Sequence, residues 1–490
     1  MKQCSVTADY QSSPVLEYSG NPLIEAMPPI LTEAQAAQGL AAFPPLPNDE
    51  RGMPKEVRLH CLNRLAHLVQ PFPIYLDLEN AVSSILRSGY VGRNPLDVGT
   101  WRHLHSLSLR QGPTPQFNST ASTFSLVGLS GIGKTTALDA VLRLYPQVIT
   151  HHRYRDQDFI HTQIVWLKLE CPFDGSLSGL CHTFFRAVDE ATGEERYTKR
   201  YRGKGGIQEL IQRMEQVAST YFIGALFIDE LQHLRTAKTG GKDNMLNFFI
   251  NLINSIGIPV VFVGTNSMLE LFVHVLRNAR RASGFGIYDF KQPTEEDASW
   301  ELLLKAVWGY QWVKTVAPLT PELKAALYDL TQGITDFLTK LMILGQRYAI
   351  QSDREVLDVD VFRHVANTKM KLLQPALDAL RTHDPAKMRR FEDLLPPDEQ
   401  LAEMMYDSHR DGRNRLAMLS QVQPLPNSAE VSDPSAISSV PAKSEPSDRK
   451  AETISIASTI GAQEDPLRVL SKADWFVRDP FEFVPTYREG

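Results

Sequence analysis

The segment Gly128-Leu129-Ser130-Gly131-Ile132-Gly133-Lys134-Thr135 fits G-x-x-x-x-G-K-[ST] at every position. Its glycines let consecutive backbone N–H groups turn inward toward phosphate oxygens, and a helix starting behind it adds positive potential. Gly128, Ser130, Gly131, Ile132, Gly133, Lys134, Thr135 and Thr136 are therefore the candidate nucleotide-binding residues. Lys134 is suited to bridge β- and γ-phosphate oxygens, and Thr135 to give its hydroxyl to Mg²⁺, so the implied ligand is ATP with magnesium. A second constellation, Ala225-Leu226-Phe227-Ile228-Asp229-Glu230, is an apolar run ending in two carboxylates. Asp229 would stand in the magnesium shell, and Glu230, one residue on, would orient and deprotonate an attacking water. An acidic pair at a strand end can also be plain solvated surface; the phosphate loop upstream favours the catalytic reading. The pair favours hydrolysis over phosphate transfer to a small molecule.

Three further patterns carry possible chemistry. Val260-Val261-Phe262-Val263-Gly264-Thr265-Asn266 reads as a buried strand ending in polar groups, with Thr265 or Asn266 as a γ-phosphate sensor, or as a strand that merely ends in a turn. Arg280 and Arg281, within Leu276 to Gly284, are either a solvated helix face or an arginine finger reaching a neighbouring subunit's nucleotide. Tyr197 to Gly206 gathers Lys199, Arg200, Arg202 and Lys204 with two aromatics and three glycines. That is the strongest local candidate for contact with the phosphates of double-stranded DNA, with a solvated basic loop as the alternative. His151 to Arg155 and Arg235 to Lys242 are weaker candidates of the same kind. Beyond the nucleotide magnesium no metal site is visible, since His151, His152, His161 and His182 lack H-E-x-x-H spacing and a partnered cysteine pair. Ser130 lacks the second glycine of a nucleophile elbow.

These residues need a scaffold, and the chain of 490 residues is long enough for several parts. A net charge of −6 with 22% charged and 43% apolar residues points to no global polyelectrolyte partner, so nucleic-acid contact must be local. Four scattered cysteines fit a reducing cytoplasm, and the polar N-terminus and lack of an 18-residue apolar run argue against secretion and the membrane. The proline-rich residues 1–54 read as an extended or mobile segment, and 55–120 as a helical module, with helices from Val57 and over Ile74 to Ser88. Between 121 and 290, short apolar runs alternate with helical patterns, which is the signature of an α/β core with a parallel sheet. Phe124 to Val127, Ile164 to Leu169, Ala225 to Ile228 and Val260 to Val263 are its four expected strands, and Asn244 to Ile256 a covering helix. Residues 291–395 read as a helical lid or bundle, 396–463 as a largely disordered linker, and 464–490 as a partner-binding peptide built on Leu467, Val469, Leu470, Trp475, Phe476, Phe481 and Phe483, or as a tail that folds back on its own core.

The order of phosphate loop, Asp-Glu strand, Gly-Thr-Asn strand end, arginine pair and trailing helices resembles an AAA+ ATPase domain. More specifically, the chain resembles the TnsC family of transposition regulators, related to TniB. The resemblance rests on Gly89-Tyr90-Val91-Gly92-Arg93-Asn94-Pro95, Phe227-Ile228-Asp229-Glu230-Leu231-Gln232, Ile258 to Thr265, Ala279-Arg280-Arg281 with Gly284-Phe285-Gly286, and Thr331-Gln332-Gly333-Ile334-Thr335-Asp336, and covers about residues 55 to 395. It implies an ATP-dependent homo-oligomer, ring or filament, that encircles target DNA and links a target-selector protein to transposase subunits, the latter through the C-terminal tail. Lys134, Thr135, Asp229 and Glu230 would be its nucleotide and hydrolysis set, Thr265 or Asn266 its sensor, and Arg280 or Arg281 its finger. Gly333-Ile334-Thr335-Asp336 departs from the family pattern, lacking the lid arginine of a G-x-x-R context. Two other readings share the phosphate loop and acidic pair: a STAND-type signalling switch, and a scaffold that binds ATP without turnover.

Overall fold

The computed structural model describes residues 5–109, 114, 117–201, 206–236, 248–249, 252–268 and 286–382. The elements in chain order are β1 (Ser5–Thr7), α1 (Pro22–Glu25), α2 (Glu33–Leu40), α3 (Lys55–Cys61), α4 (Pro73–Val91), α5 (Val98–Ser108), β2 (Thr123–Gly128), α6 (Lys134–Leu142), β3 (Val148–Tyr154), β4 (Gln157–Ile164), β5 (Trp166–Glu170), α7 (Leu177–Thr192), α8 (Tyr197–Tyr201), α9 (Ile207–Thr220), β6 (Ala225–Asp229), β7 (Val260–Gly264) and β8 (Ile287–Phe290). The helices α10 (Ala298–Trp308), α11 (Pro321–Thr331), α12 (Thr335–Gln351), α13 (Val359–Lys369) and α14 (Gln374–Thr382) follow.

Five strands form an all-parallel sheet in the order β5-β6-β7-β2-β8, so the strand leading into the phosphate loop is flanked on both sides. Its strands are apolar throughout because both faces are covered. Phe124, Leu126, Phe227, Val261 and Val263 pack into one core with α4, α6 and the C-terminal helices. Their alternates Val127, Leu226, Ile228, Val260 and Phe262 pack into a second with α7 and α9. Successive side chains thus serve opposite faces, as the pleat requires.

Several expectations are corrected. Among the described residues the sheet has five strands rather than four: the run from Ile164 to Leu169 breaks at Val165, where β4 ends and β5 begins, and β8 adds a strand beside β2. A second sheet, β1-β3-β4, joins the N-terminus to a hairpin. Residues 5–54 are accordingly not an extended or mobile segment. Asn21 caps α1 and its Nδ2 donates to Tyr90 O at 2.8 Å, Thr32 and Gln35 form a reciprocal cap on α2, and Leu23, Ile24, Ala37 and Leu40 are buried in the first core. The prolines fix the backbone, while these apolar residues give it surface to bury. Residues 55–120 likewise do not stand apart as a module. Tyr90 donates to Phe222 O and Arg93 to Ile223 O, each at 2.8 Å, fastening the end of α4 to the turn before β6; burial pulls the Arg93 pKa down to about 10. Of the helix expected over Asn244 to Ile256, the described part includes a π-helical turn at Leu252–Ile256 with buried Leu252, Ile253 and Ile256.

Arg58 of α3 clamps the loop after α12. Its guanidinium donates to both carboxylate oxygens of Glu355, at 2.8 and 2.6 Å, and to Trp312 O at 2.8 Å, with the two side chains 1% and 14% exposed. The hydrogen bonds from Arg58 hold the Glu355 pKa below its usual value. A lowered carboxylate pKa stabilises the fold above the unfolded value of about 4.3, and that contribution is lost as pH falls through the lower folded value. Replacing Arg58 by Met strands a nearly buried carboxylate. The expected loss is about 3 kcal/mol of unfolding free energy by urea titration at pH 7, shrinking below about pH 4; a loss under about 0.5 kcal/mol would make the pair incidental.

Candidate nucleotide site

The phosphate loop follows β2 because Gly133 can take φ +106, a left-handed conformation that a side chain resists, and there the chain enters α6. Lys134 and Thr135 thus fall in the first turn of a helix whose N–H groups face the loop. Lys134 is 8% exposed, and its Nζ donates to Gly128 O and Leu129 O, both at 2.8 Å. Its ammonium is folded over the loop. Thr135 Oγ1 donates to Asp229 Oδ2 at 3.1 Å, which brings the two expected magnesium groups together from α6 and β6.

Asp229 is 4% exposed and its Oδ1 accepts from the Glu230 N–H at 2.9 Å. Glu230 has φ +57, an uncommon backbone for a side chain with Cβ, at a cost of about 1 kcal/mol. That conformation turns its carboxylate off the strand axis and into the pocket. The pocket, of about 210 Å³, is lined by Ser130, Gly131, Gly133, Lys134, Thr135, Thr136, Glu230, Gln232, Gly264, Thr265 and Asp336. Most of the sequence-predicted residues meet here. Gly128 and Ile132 support the loop from behind rather than line the pocket: Gly128 abuts Phe290 and Ile132 is buried. Of the two sensor candidates, Thr265 lines the pocket, its hydroxyl 2.9 Å from Ser267 Oγ, and Asn266 is buried at the start of the following turn. Paired main-chain N–H groups, a buried ammonium, a hydroxyl beside a carboxylate and a second carboxylate match the donor set that a magnesium-bound triphosphate demands.

Three residues were missed from sequence. Lys168 of β5 lies 2.6 Å from Asp139 Oδ1 and 3.6 Å from Asp229 Oδ2, placing a cation beside the expected magnesium carboxylate; a lysine between Leu167 and Leu169 in an apolar run was the available signal. Asp336 opens α12 against the loop, its N–H donating to Gly131 O at 3.1 Å, and it occupies the lid position where the arginine was noted as lacking. Gln232 bridges Glu230 and Thr265. Its position two residues after the acidic pair gave no hint of this.

Lys199 and Arg200 stand exposed on α8, which is held by Asp189 accepting from the Tyr197 and Thr198 N–H groups at 2.8 and 2.7 Å. Lys199 is 2.5 Å from Glu195, which raises its pKa. The aromatics of this patch are core residues: Tyr197 and Tyr201 are buried, with the Arg200 and Arg213 guanidiniums over the Tyr201 ring. His151, in the weaker basic candidate, is also buried, accepting or donating between Tyr10 and Gln163. Arg202, Lys204, Arg280, Arg281, the stretch 237–242 and residues 396–490 lie outside the described residues. Among the described residues no cluster of His, Cys, Asp and Glu suits a further metal, and no helix is long and apolar enough to cross a membrane.

A five-stranded parallel sheet with this loop after its fourth strand, an Asp-Glu pair at the end of β6 and trailing helices defines a P-loop AAA+ domain. Residues 118–272 match the family model described as the AAA domain. Among solved structures the chain is similar to a Walker-type ATPase of Pyrococcus abyssi at 14% identity, covering 65% of this chain and 95% of that one with a TM-score of 0.35. It is also similar to the Thermotoga maritima RuvB Holliday junction branch migration motor at 13% identity, 79% and 89% coverage and TM-score 0.28. A third is the Drosophila ORC bound to DNA, at 12% identity, 80% and 83% coverage and TM-score 0.32. No curated protein matches the chain significantly.

Proposed function

We propose that this chain is an ATP-hydrolysing, DNA-binding AAA+ regulator of transposition, which assembles as a homo-oligomer on target DNA and links a target selector to transposase subunits. The observation that carries the hydrolysis is the single pocket shared by Lys134, Thr135, Glu230 and Thr265. Glu230 takes a proton from the water whose oxygen bonds to the γ-phosphorus, the bond to the bridging oxygen breaks, and ADP departs. Lys134 would move from the Gly128 and Leu129 carbonyls to the β- and γ-phosphate oxygens, and Thr135 and Asp229 would hold the metal. Magnesium, when bound there, supplies charge neutralisation across the phosphates. Thr265, at the end of the strand beside β2, is placed to sense the γ-phosphate. The DNA and transposase parts of the reading are supported by the motif resemblance to the TnsC family, with Lys199, Arg200, Arg202 and Lys204 as the DNA contacts, Arg280 or Arg281 as the finger, and 464–490 as the transposase-binding peptide.

The test is duplex DNA binding and particle size with ATP, ADP or neither. ATP is expected to raise both, and indifference of both to ATP would sink the regulator. In the same assay, reversing Lys199, Arg200 and Arg202 to Glu should weaken DNA binding at least tenfold at 0.1 M salt and flatten the slope of log affinity against log salt. An unchanged slope would remove this patch from the DNA site.

A further inference from the structure

We infer that Gln232 is a positioning residue for Glu230, tying the carboxylate to the main chain of Thr265; the inference rests on the reading of the pocket as a site of ATP hydrolysis. The side chain lies in the pocket wall between the two. Its Nε2 donates to Glu230 Oε2, and its Oε1 accepts from the Thr265 N–H at 3.2 Å. The amide cannot be turned round, because an ionised carboxylate only accepts and a backbone N–H only donates. The strand end also comes close to the amide: a Cβ on Gly264 would lie 2.6 Å from Gln232 Oε1 and 2.8 Å from Met268 Sδ, so a side chain there would push the Gln232 amide out of its present place.

The arrangement has a chemical consequence. Glu230 leaves its strand with a left-handed backbone, so nothing in the regular structure of β6 fixes where its carboxylate points. Gln232 supplies that direction, and takes it from Thr265, at the end of the strand that pairs with the phosphate-loop strand. A shift of the Thr265 main chain when a γ-phosphate arrives is thereby transmitted to the carboxylate that must face the water. Gln232 touches no reacting atom and acts through Glu230 alone.

Deleting such a residue slows chemistry and spares binding. In the full chain, Gln232→Ala is expected to lower kcat for ATP about tenfold or more while the Kd for ATP stays within about twofold. Gln232→Glu keeps the acceptor for Thr265 but loses the donor to Glu230, and is expected to show the same loss, so the outcome does not depend on whether the alanine variant folds. The discriminating measurement is a double-mutant cycle: in a Glu230→Gln background, Gln232→Ala should change the residual rate by less than about twofold. Wild-type kcat retained by both variants, or an equal fall in both backgrounds, overturns the inference and leaves the ATPase standing. If the wild-type chain turns over no more ATP than Glu230→Gln, with or without DNA, the hydrolysis reading itself fails and the inference with it.

Discussion

Lys134→Ala is expected to reduce the affinity for magnesium ATP about 100-fold, as measured by calorimetric titration, and to take turnover below detection. The ammonium is 8% exposed and held at 2.8 Å from two loop carbonyls, so it already lies at the loop that would receive the phosphates. A hydrogen bond to a charged partner contributes about 1.5–3 kcal/mol. Losing a bridge to two phosphate oxygens therefore costs on the order of 3 kcal/mol, and each 1.4 kcal/mol is a factor of ten in affinity. The fold should be little affected, because Lys134 itself lines the pocket, so that water entering from it can replace the ammonium. ATP affinity within about threefold of the wild type would mean that the loop does not hold the triphosphate through Lys134.

The parts of this site that were readable in the sequence are those whose geometry is local. The glycines, Lys134 and Thr135 are consecutive, and a run of such residues between a strand and a helix can adopt few shapes. Asp229 and Glu230 announce themselves as charges closing an apolar run. What sequence could not supply is the non-local pairing. Gly264 stands opposite Val127 because β7 pairs with β2, and this register places Thr265, rather than Asn266, in the pocket wall. The bridge through Gln232 depends on a main-chain N–H thirty-three residues away. The N-terminal fifty residues misled for the same reason. Their prolines are local and visible, whereas β1 finds its partner at Val148, and Tyr310 and Trp312 donate to Pro44 O and Glu50 Oε2 from far along the chain.

The surroundings of Asp229 and Glu230 also suit the different tasks proposed for the two carboxylates. Asp229 is the more enclosed, fixed by Thr135 and by its neighbour's N–H, with the Lys168 ammonium 3.6 Å away. Glu230 is less enclosed and faces the cavity, where a water can reach it. Asp336 adds a further carboxylate from the lid, and its pairing with Lys340 at 2.5 Å offsets that charge. A lid with an acidic residue at this point has to withdraw or stay paired when phosphates enter, since like charges in a confined space repel. Asp336 and Ile334 stand against Gly131 of the phosphate loop, at the point where the lid arginine of a G-x-x-R context is lacking.

Glu230→Gln is expected to separate binding from turnover more cleanly than any other substitution in the pocket. The amide keeps the size of the side chain and its left-handed backbone, but cannot take a proton from water. General-base catalysis contributes 10²–10⁴-fold, so kcat should fall about 1000-fold while ATP affinity stays within about threefold. The oxygen of the new amide can still accept from Gln232 Nε2, so the pocket has no reason to collapse. If hydrolysis controls release from DNA, as proposed, the variant should remain on duplex DNA in ATP for far longer than the wild type, and wild-type chain in a non-hydrolysable ATP analogue should behave alike. Dissociation followed by competitor challenge decides the matter. A Glu230→Gln chain that leaves DNA as fast as the wild type, while its kcat has fallen, would break the link between hydrolysis and disassembly and leave the ATPase without its assigned purpose. Retained kcat would remove Glu230 from the role of base altogether, and the φ of +57 that turns it into the pocket would then be strain with no chemical return.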